Sequence, residues 1–318
     1  MCFVKCSLTR YGSLFAQVGP TPLAHRARVA VAPLSVASSS SSVRPFSADT
    51  TGRDAYQIGQ ELEGSNVCQQ VGLDQLGITK LQKIYRNLSY QRLFELEQAN
   101  KEGVVAKAEY GPTFTVDTGK FTGRSPKDRW IVLNPGTETA ENIDWNEINQ
   151  PTTPEVFEEL YDKAIEYMNS RRDAYVFDGY CGTSPASRKK VRFVTEMAWQ
   201  QHFVTNMFIR PEQAHELDNF APDFTVINCC SQVDNDWVKH KLHSEVAAVF
   251  NVEKKTAVIF GTYYGGEMKK GIFSLMNYWL PMAGHFPMVR NFVNECLLVC
   301  VRMDWLVGII GYFERLSL

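Results

Sequence analysis

Seven short runs rich in β-branched and aromatic residues do most to limit what this chain can fold into: "TFTVDTG", "RWIVL", "AYVFDG", "VRFVTE", "FTVIN", "AAVFN" and "TAVIFGT". Each is short and closed by turn-forming or polar residues, which is the pattern of a strand. Among them lies one strong helix signal. Thr153 and Pro154 can cap and open a helix whose apolar positions Val156, Leu160, Ala164, Ile165 and Met168 recur at helical spacing between charged residues. Seven or more strands against three or four helices predict an α/β or α+β domain on a mixed sheet. The 318 residues, 44% hydrophobic and 21% charged, are those of a globular chain able to bury a large core in one or two domains. There is no internal repeat.

The two ends differ from this pattern. Residues 1–48 contain no Asp or Glu, but they carry Lys5, Arg10, Arg26, Arg28 and Arg44 and a serine run from Ser38 to Ser42. This is the composition of an organellar transit peptide, and "RPFSA" is similar to a mitochondrial processing site cut after Phe46. The expectation is a mitochondrial protein, with a disordered cytosolic tail as the alternative. The globular part begins near Asp54 and ends near Met288. In residues 289–318 two apolar runs are separated by Arg302 and Asp304, each short of the ~20 residues a membrane helix needs, so no membrane span is expected. An amphipathic or partly buried terminal helix is expected there instead. The eight cysteines form no CxxC pair and no zinc-finger spacing. Cys229 and Cys230, adjacent in an expected strand, read as buried free thiols, and a reducing compartment fits.

A formal net charge of −2 gives no global attraction to nucleic acid or an anionic membrane, so any anion site must be local. The first local candidate is "DTGKFTGRSPKDRW", residues 117–130. Its glycines permit close approach, its hydroxyls and cations could hold a carboxylate or phosphate, and Arg124 offers a planar fork that matches a carboxylate. A surface turn with solvated charges is the competing reading. The stretch is not a P-loop, because Phe121 follows Gly119-Lys120 and Phe114 stands where the first glycine should be. No GxxxxGK[ST] occurs anywhere in the 318 residues.

The second candidate is "GTYYGGEMKKGIFSLMNYWLP", residues 261–281. A buried strand, a Gly265-Gly266 turn and a helix with the apolar stripe Ile272, Leu275, Met276 and Trp279 are predicted. Lys269 and Lys270 then fall beside the positive end of that helix, where each cation is disfavoured by roughly 0.3–1 kcal/mol. The pair is either solvated or used on an anion. An ammonium so placed has its charged form penalised, and a neutral lysine can donate a lone pair to a metal. The third candidate, "VRFVTEMAWQQHFVTNMFIRP", reads as a strand leading into a helix. Trp199, Phe203 and Phe208 are expected in the core, His202 as a structural histidine, and Arg192 and Arg210 as ion-pair partners. His240 and His243 lack an HExxH context and make a weak metal candidate.

In this order and with these gaps, "TGKFTGRSPKDRWIV", "VRFVTEMAWQQHFVTNMFIRP" and "GTYYGGEMKKGIFSLMNYWLP" resemble the ATP-dependent phosphoenolpyruvate carboxykinases, over residues 77–288. The resemblance implies the substrate-binding N-terminal domain of that fold. It also implies gluconeogenic conversion of oxaloacetate and ATP to phosphoenolpyruvate, ADP and carbon dioxide, with Mg2+-nucleotide and Mn2+. By position, Arg124 would bind the substrate carboxylate and Tyr264 would contact oxaloacetate or carbon dioxide. Lys270 would be a metal ligand, and Lys269 would steady the enolate or the transferred phosphoryl group. Residues beyond Met288 depart from the family, whose "HCSAN" segment, P-loop and metal-binding aspartate do not appear. The resemblance therefore implies a catalytically incomplete product lacking the nucleotide domain. The alternative is a non-catalytic dicarboxylate-binding or interaction protein derived from that domain.

Overall fold

The computed structural model describes residues 58–108, 111–292 and 295–302. The transit-like segment, and residues 303–318 of the tail, lie outside them. In chain order the elements are β1 (Gln60–Glu63), α1 (Val67–Val71), β2 (Lys83–Arg86), α2 (Tyr90–Ala99), β3 (Val104–Ala108) and β4 (Gly111–Thr115). Next come β5 (Arg129–Val132), α3 (Glu138–Asn142), β6 (Gln150–Thr152), α4 (Pro154–Ser170), β7 (Asp173–Cys181) and β8 (Lys189–Thr195). The remainder are α5 (Ala198–Met207), β9 (Phe224–Cys229), β10 (Ala247–Asn251), β11 (Thr256–Phe260), α6 (Gly266–Met282), β12 (His285–Phe292) and β13 (Glu295–Arg302).

Nine strands form one mixed sheet in the order β1-β2-β7-β8-β9-β11-β10-β5-β6. Six of the seven expected runs lie in it. The other, "TFTVDTG", contributes β4 to a separate two-stranded ribbon with β3. The central strands are buried on both faces because helices cover both. On β11, Val258 and Phe260 face the cluster built on Phe157, Leu160, Ala164 and Met168 of α4, while Ala257 and Ile259 face Met268, Ile272, Leu275 and Met276 of α6. A strand sandwiched in this way reads as a continuous apolar run rather than an alternating one.

The helix signal at residue 153 is realised: Thr153 Oγ1 accepts from the Val156 amide, and Pro154 occupies the first turn. One buried ion group knits three strands. The Asp178 carboxylate accepts from Arg86 at 2.6 and 2.9 Å and from Arg192 at 2.7 and 2.9 Å. Removing one member of such a group would leave uncompensated charge in the interior, at a cost of about 3–5 kcal/mol.

The tail corrects one expectation. Residues 285–292 and 295–302 pair as an antiparallel hairpin, with Met288 opposite Val299, rather than continuing as a helix. The runs "HFPMVRNF" and "ECLLVCVR" carry valine and phenylalanine, which favour strands, and the expectation of a helix rested on apolar character alone. Among the described residues no helix is long and apolar enough to cross a membrane.

Candidate functional site

Strand direction brings the two motifs together. β8, β9 and β11 are mutually parallel and end at Thr195, Cys229 and Phe260. β10 runs antiparallel to β11, and β5 runs parallel to β10, so the starts of β10 and β5 lie at that same edge. The register sets Ala247 opposite Phe260 and Ala248 opposite Arg129. The loop entering β5, which carries Arg124, therefore rises at the same edge as the loop leaving β11, which carries Tyr264, with only β10 between the two strands. In open α/β sheets, the crevice outside the carboxyl ends of parallel strands is the usual place for a ligand.

Side chains join the two segments. The Ser125 amide donates to Glu267 Oε1 at 2.7 Å, and Arg129 Nη1 donates to Ser274 Oγ at 2.7 Å. On its other side the loop is held by buried Asp128, which accepts from the Ser125 hydroxyl, from Ser244 Oγ at 2.7 Å and from His243 Nδ1 at 3.0 Å. Glu267 is itself buried. Burial pushes its carboxyl above the ordinary range, while the Ser125 amide and the charges of Arg124 and Arg129 pull the other way.

The cations of this edge divide into two kinds. Lys120 is paired with Glu245 at 3.0 Å. Arg124, Lys269 and Lys270 form no ion pair among the described residues, Arg124 being exposed and both lysines half-buried. Lys270 Nζ stands 5.0 Å from the centre of the Phe273 ring. Lys270 follows Glu267 by three positions on α6, so the two share a helix face. The Gly265-Gly266 turn is as tight as its letters imply. A Cβ at Gly266 would meet the Tyr264 ring at 2.2 Å, and one at Gly265 the Phe203 ring at 3.0 Å.

A sequence model described as phosphoenolpyruvate carboxykinase matches residues 82–291. The chain belongs to the phosphoenolpyruvate carboxykinase family. Proteins named phosphoenolpyruvate carboxykinase (ATP) are similar to it. That of Campylobacter lari is 52% identical over 217 residues, covering 68% of this chain and 40% of the relative. That of Sulfurimonas denitrificans is 48% identical over 216 residues, with the same coverage of each chain. That of Leptospira biflexa is 45% identical over 211 residues, covering 66% of this chain and 38% of the relative. The chain thus spans about 40% of the length of the relatives it matches. The matched residues of this carboxykinase-family chain include Arg124, Tyr264, Lys269 and Lys270.

The same edge holds a group the sequence did not reveal. Glu196, just past β8 and buried, accepts from the Tyr167 hydroxyl, the Cys230 thiol at 2.5 Å, the Ser231 amide at 2.6 Å and the Ser231 hydroxyl at 2.9 Å. The Tyr263 phenol is pushed up by burial and by the neighbouring Cys230 and Glu196. Its only sequence signal is a glutamate placed directly after an apolar strand. Other expectations fall as read. His202 Nδ1 pairs with buried Glu97 at 2.7 Å, Arg192 pairs with Asp178, and Trp199 is in the core. Phe203 and Phe208 are partly buried against the cluster under α6, and for Arg210, expected as an ion-pair partner, the contact described is with the Tyr90 ring at 4.8 Å. His240 and His243 do not converge on a common centre: His240 bridges Asp234 and Glu159, whereas His243 faces Asp128. Among the described residues no group of three or more His, Cys, Asp or Glu side chains could hold a metal. A small cavity between α6 and the sheet, lined by Arg129, Phe250, Gly271 and Leu275, includes none of the four candidate residues.

Proposed function

We propose that this chain carries the oxaloacetate-binding half of an ATP-dependent phosphoenolpyruvate carboxykinase. The observation that carries the reading is the grouping of Arg124, Lys269 and Lys270, none of them ion-paired among the described residues, with Tyr264 at one sheet edge. Decarboxylation breaks the bond to the carboxylate beside the methylene carbon and leaves its electron pair as an enolate. An enolate is held by cations already in place when the charge develops. In this reading the Arg124 fork grips a substrate carboxylate and the Tyr264 hydroxyl orients the carboxylate that leaves. Lys269 faces the enolate oxygen and the incoming phosphoryl group, whose equatorial oxygens need neighbouring cations.

Lys270 is the one metal-ligand candidate that these motifs offer, and a bound Mn2+ would supply Lewis-acid charge beside the enolate oxygen. These 318 residues contain no GxxxxGK[ST], so the phosphate cradle for Mg2+-ATP is not among them, and among the described residues no cluster of His, Cys, Asp or Glu completes a metal site. We infer that the residues as they stand bind the substrate and do not turn over ATP. A second reading keeps the same carboxylate grip of Arg124 in a dicarboxylate-binding protein without catalysis. The acid-free, arginine- and serine-bearing first 48 residues support a mitochondrial location.

Oxalate, a planar dianion that imitates the enolate of pyruvate, tests the site by calorimetry. The expected result is saturable binding at low salt, lowered about tenfold or more in Arg124→Ala, with acetate much weaker. No binding, or equal binding by the variant, would remove this reading. Added ATP turnover by the unaltered chain would remove the inactive assignment.

A further inference from the structure

The bond between Ser125 and Glu267 has a consequence for the substrate site. The amide that Glu267 holds at 2.7 Å belongs to the peptide joining Arg124 to Ser125. Ser125 is gripped twice, through its amide by Glu267 and through its hydroxyl by Asp128, and both carboxylates are buried at 4% exposure. Arg124 is the residue immediately outside that grip. Its side chain is long and exposed, so the direction in which it leaves the backbone decides where its guanidinium can reach. Glu267 in turn sits in the first turn of α6, three residues before Lys270, where the helix dipole favours an anion. One side chain therefore touches the peptide that aims Arg124 and shares a helix face with the lysine opposite it.

We infer that Glu267 is a positioning residue, which fixes the separation between Arg124 and the Lys269-Lys270 pair so that one small dianion can span them. This rests on the substrate-site reading above. Glu267 acts through the Ser125 amide and does not itself contact the substrate, which a carboxylate would repel. The acceptor oxygen is what the role requires, so glutamine should replace glutamate and alanine should not. A merely structural Glu267 would lower stability in both variants and leave the affinity for oxalate alone.

The experiment compares the full chain with Glu267→Ala and Glu267→Gln in oxalate calorimetry, and follows hydrogen exchange at the Ser125 amide without ligand. The expected outcome is a loss of roughly tenfold in oxalate affinity for alanine, with glutamine within about threefold of the parent. Ser125 exchange should quicken about tenfold or more in the alanine variant and stay protected in the glutamine variant. Wild-type affinity in Glu267→Ala overturns the inference, and so does a glutamine variant as weak as alanine. If the parent chain binds no oxalate, the substrate reading fails by itself, and Ser125 exchange then decides: quickened exchange in alanine keeps the positioning role, unchanged exchange ends it. If Glu267→Ala does not fold, Glu267→Asp, which draws the acceptor back by one methylene, replaces it in both readouts.

Discussion

Cys229 ends β9 and Cys230 follows it, both free and almost wholly enclosed. Burial pushes both thiols well above their ordinary range, and the Glu196 carboxylate raises them further by disfavouring a second negative charge. Since the thiolate is the reactive form, raising the pH should not expose them as it would an ordinary cysteine, whose pKa is about 8.5. At pH 8 iodoacetamide should modify both residues only after denaturation, as read by peptide mass spectrometry. Native labelling at the rate of a free cysteine would contradict the burial described. These thiols were legible because they follow directly on the strand-like run "FTVIN". Asp178 and Glu267 were less so. A lone acid in "AYVFDG", or one at the start of a helix, has the same one-letter appearance whether it is solvated or buried, and only its partners decide. Those partners, Arg86, Arg192 and Ser125, are 92, 14 and 142 residues away in the chain.

The close packing of α6 on β10 depends on the glycine that follows the lysine pair. A Cβ at Gly271 would come within 2.2 Å of the Phe250 ring, whose position is shared with Phe224 and Trp279. Helix propensity alone would favour alanine at this site by about 0.8–1 kcal/mol. The clash decides the sign, because overpacking a filled core costs about 1–3 kcal/mol. Gly271→Ala should therefore lower the stability found by urea denaturation while leaving the m-value unchanged, and a stabilised variant would show that the helix can lift away from Phe250. Elements of this kind were the most legible part of the sequence. The runs behind β5, β7, β8, β9, β10 and β11 and the helices at residues 154 and 266 carry strong local periodicity or caps. The strands "QELE", "VVAKA" and "QPT" carry no legible signal, since they lie at sheet margins or in a ribbon and bury little, whereas "KIYR" is largely buried but is only four residues long with Lys83 and Arg86 at its ends.

At the scale of the whole molecule, the order of strands was not legible, because β5 enters the sheet beside β10, more than a hundred residues later in the chain. That non-local pairing brings the loop of Arg124 to the sheet edge that also carries Lys269 and Lys270, in a chain whose formal charge is −2. In the substrate reading a dianion is held by Arg124, Lys269 and Lys270 together, through charge-assisted contacts. A ligand that binds only the folded state stabilises it by about 2.7 kcal/mol at a hundred times its dissociation constant. The substrate reading therefore predicts that oxalate raises the unfolding temperature. The shift should shrink as salt rises, since the Debye length falls from about 10 Å at 0.1 M to about 3 Å at 1 M. Thermal unfolding over a matrix of oxalate and sodium chloride concentrations measures both effects. Arg124→Ala and Lys270→Ala should each reduce the oxalate shift, and each should leave the stability of the ligand-free chain unchanged, because neither cation is ion-paired among the described residues. Loss of ligand-free stability in both variants would mean that these cations serve the fold rather than an anion.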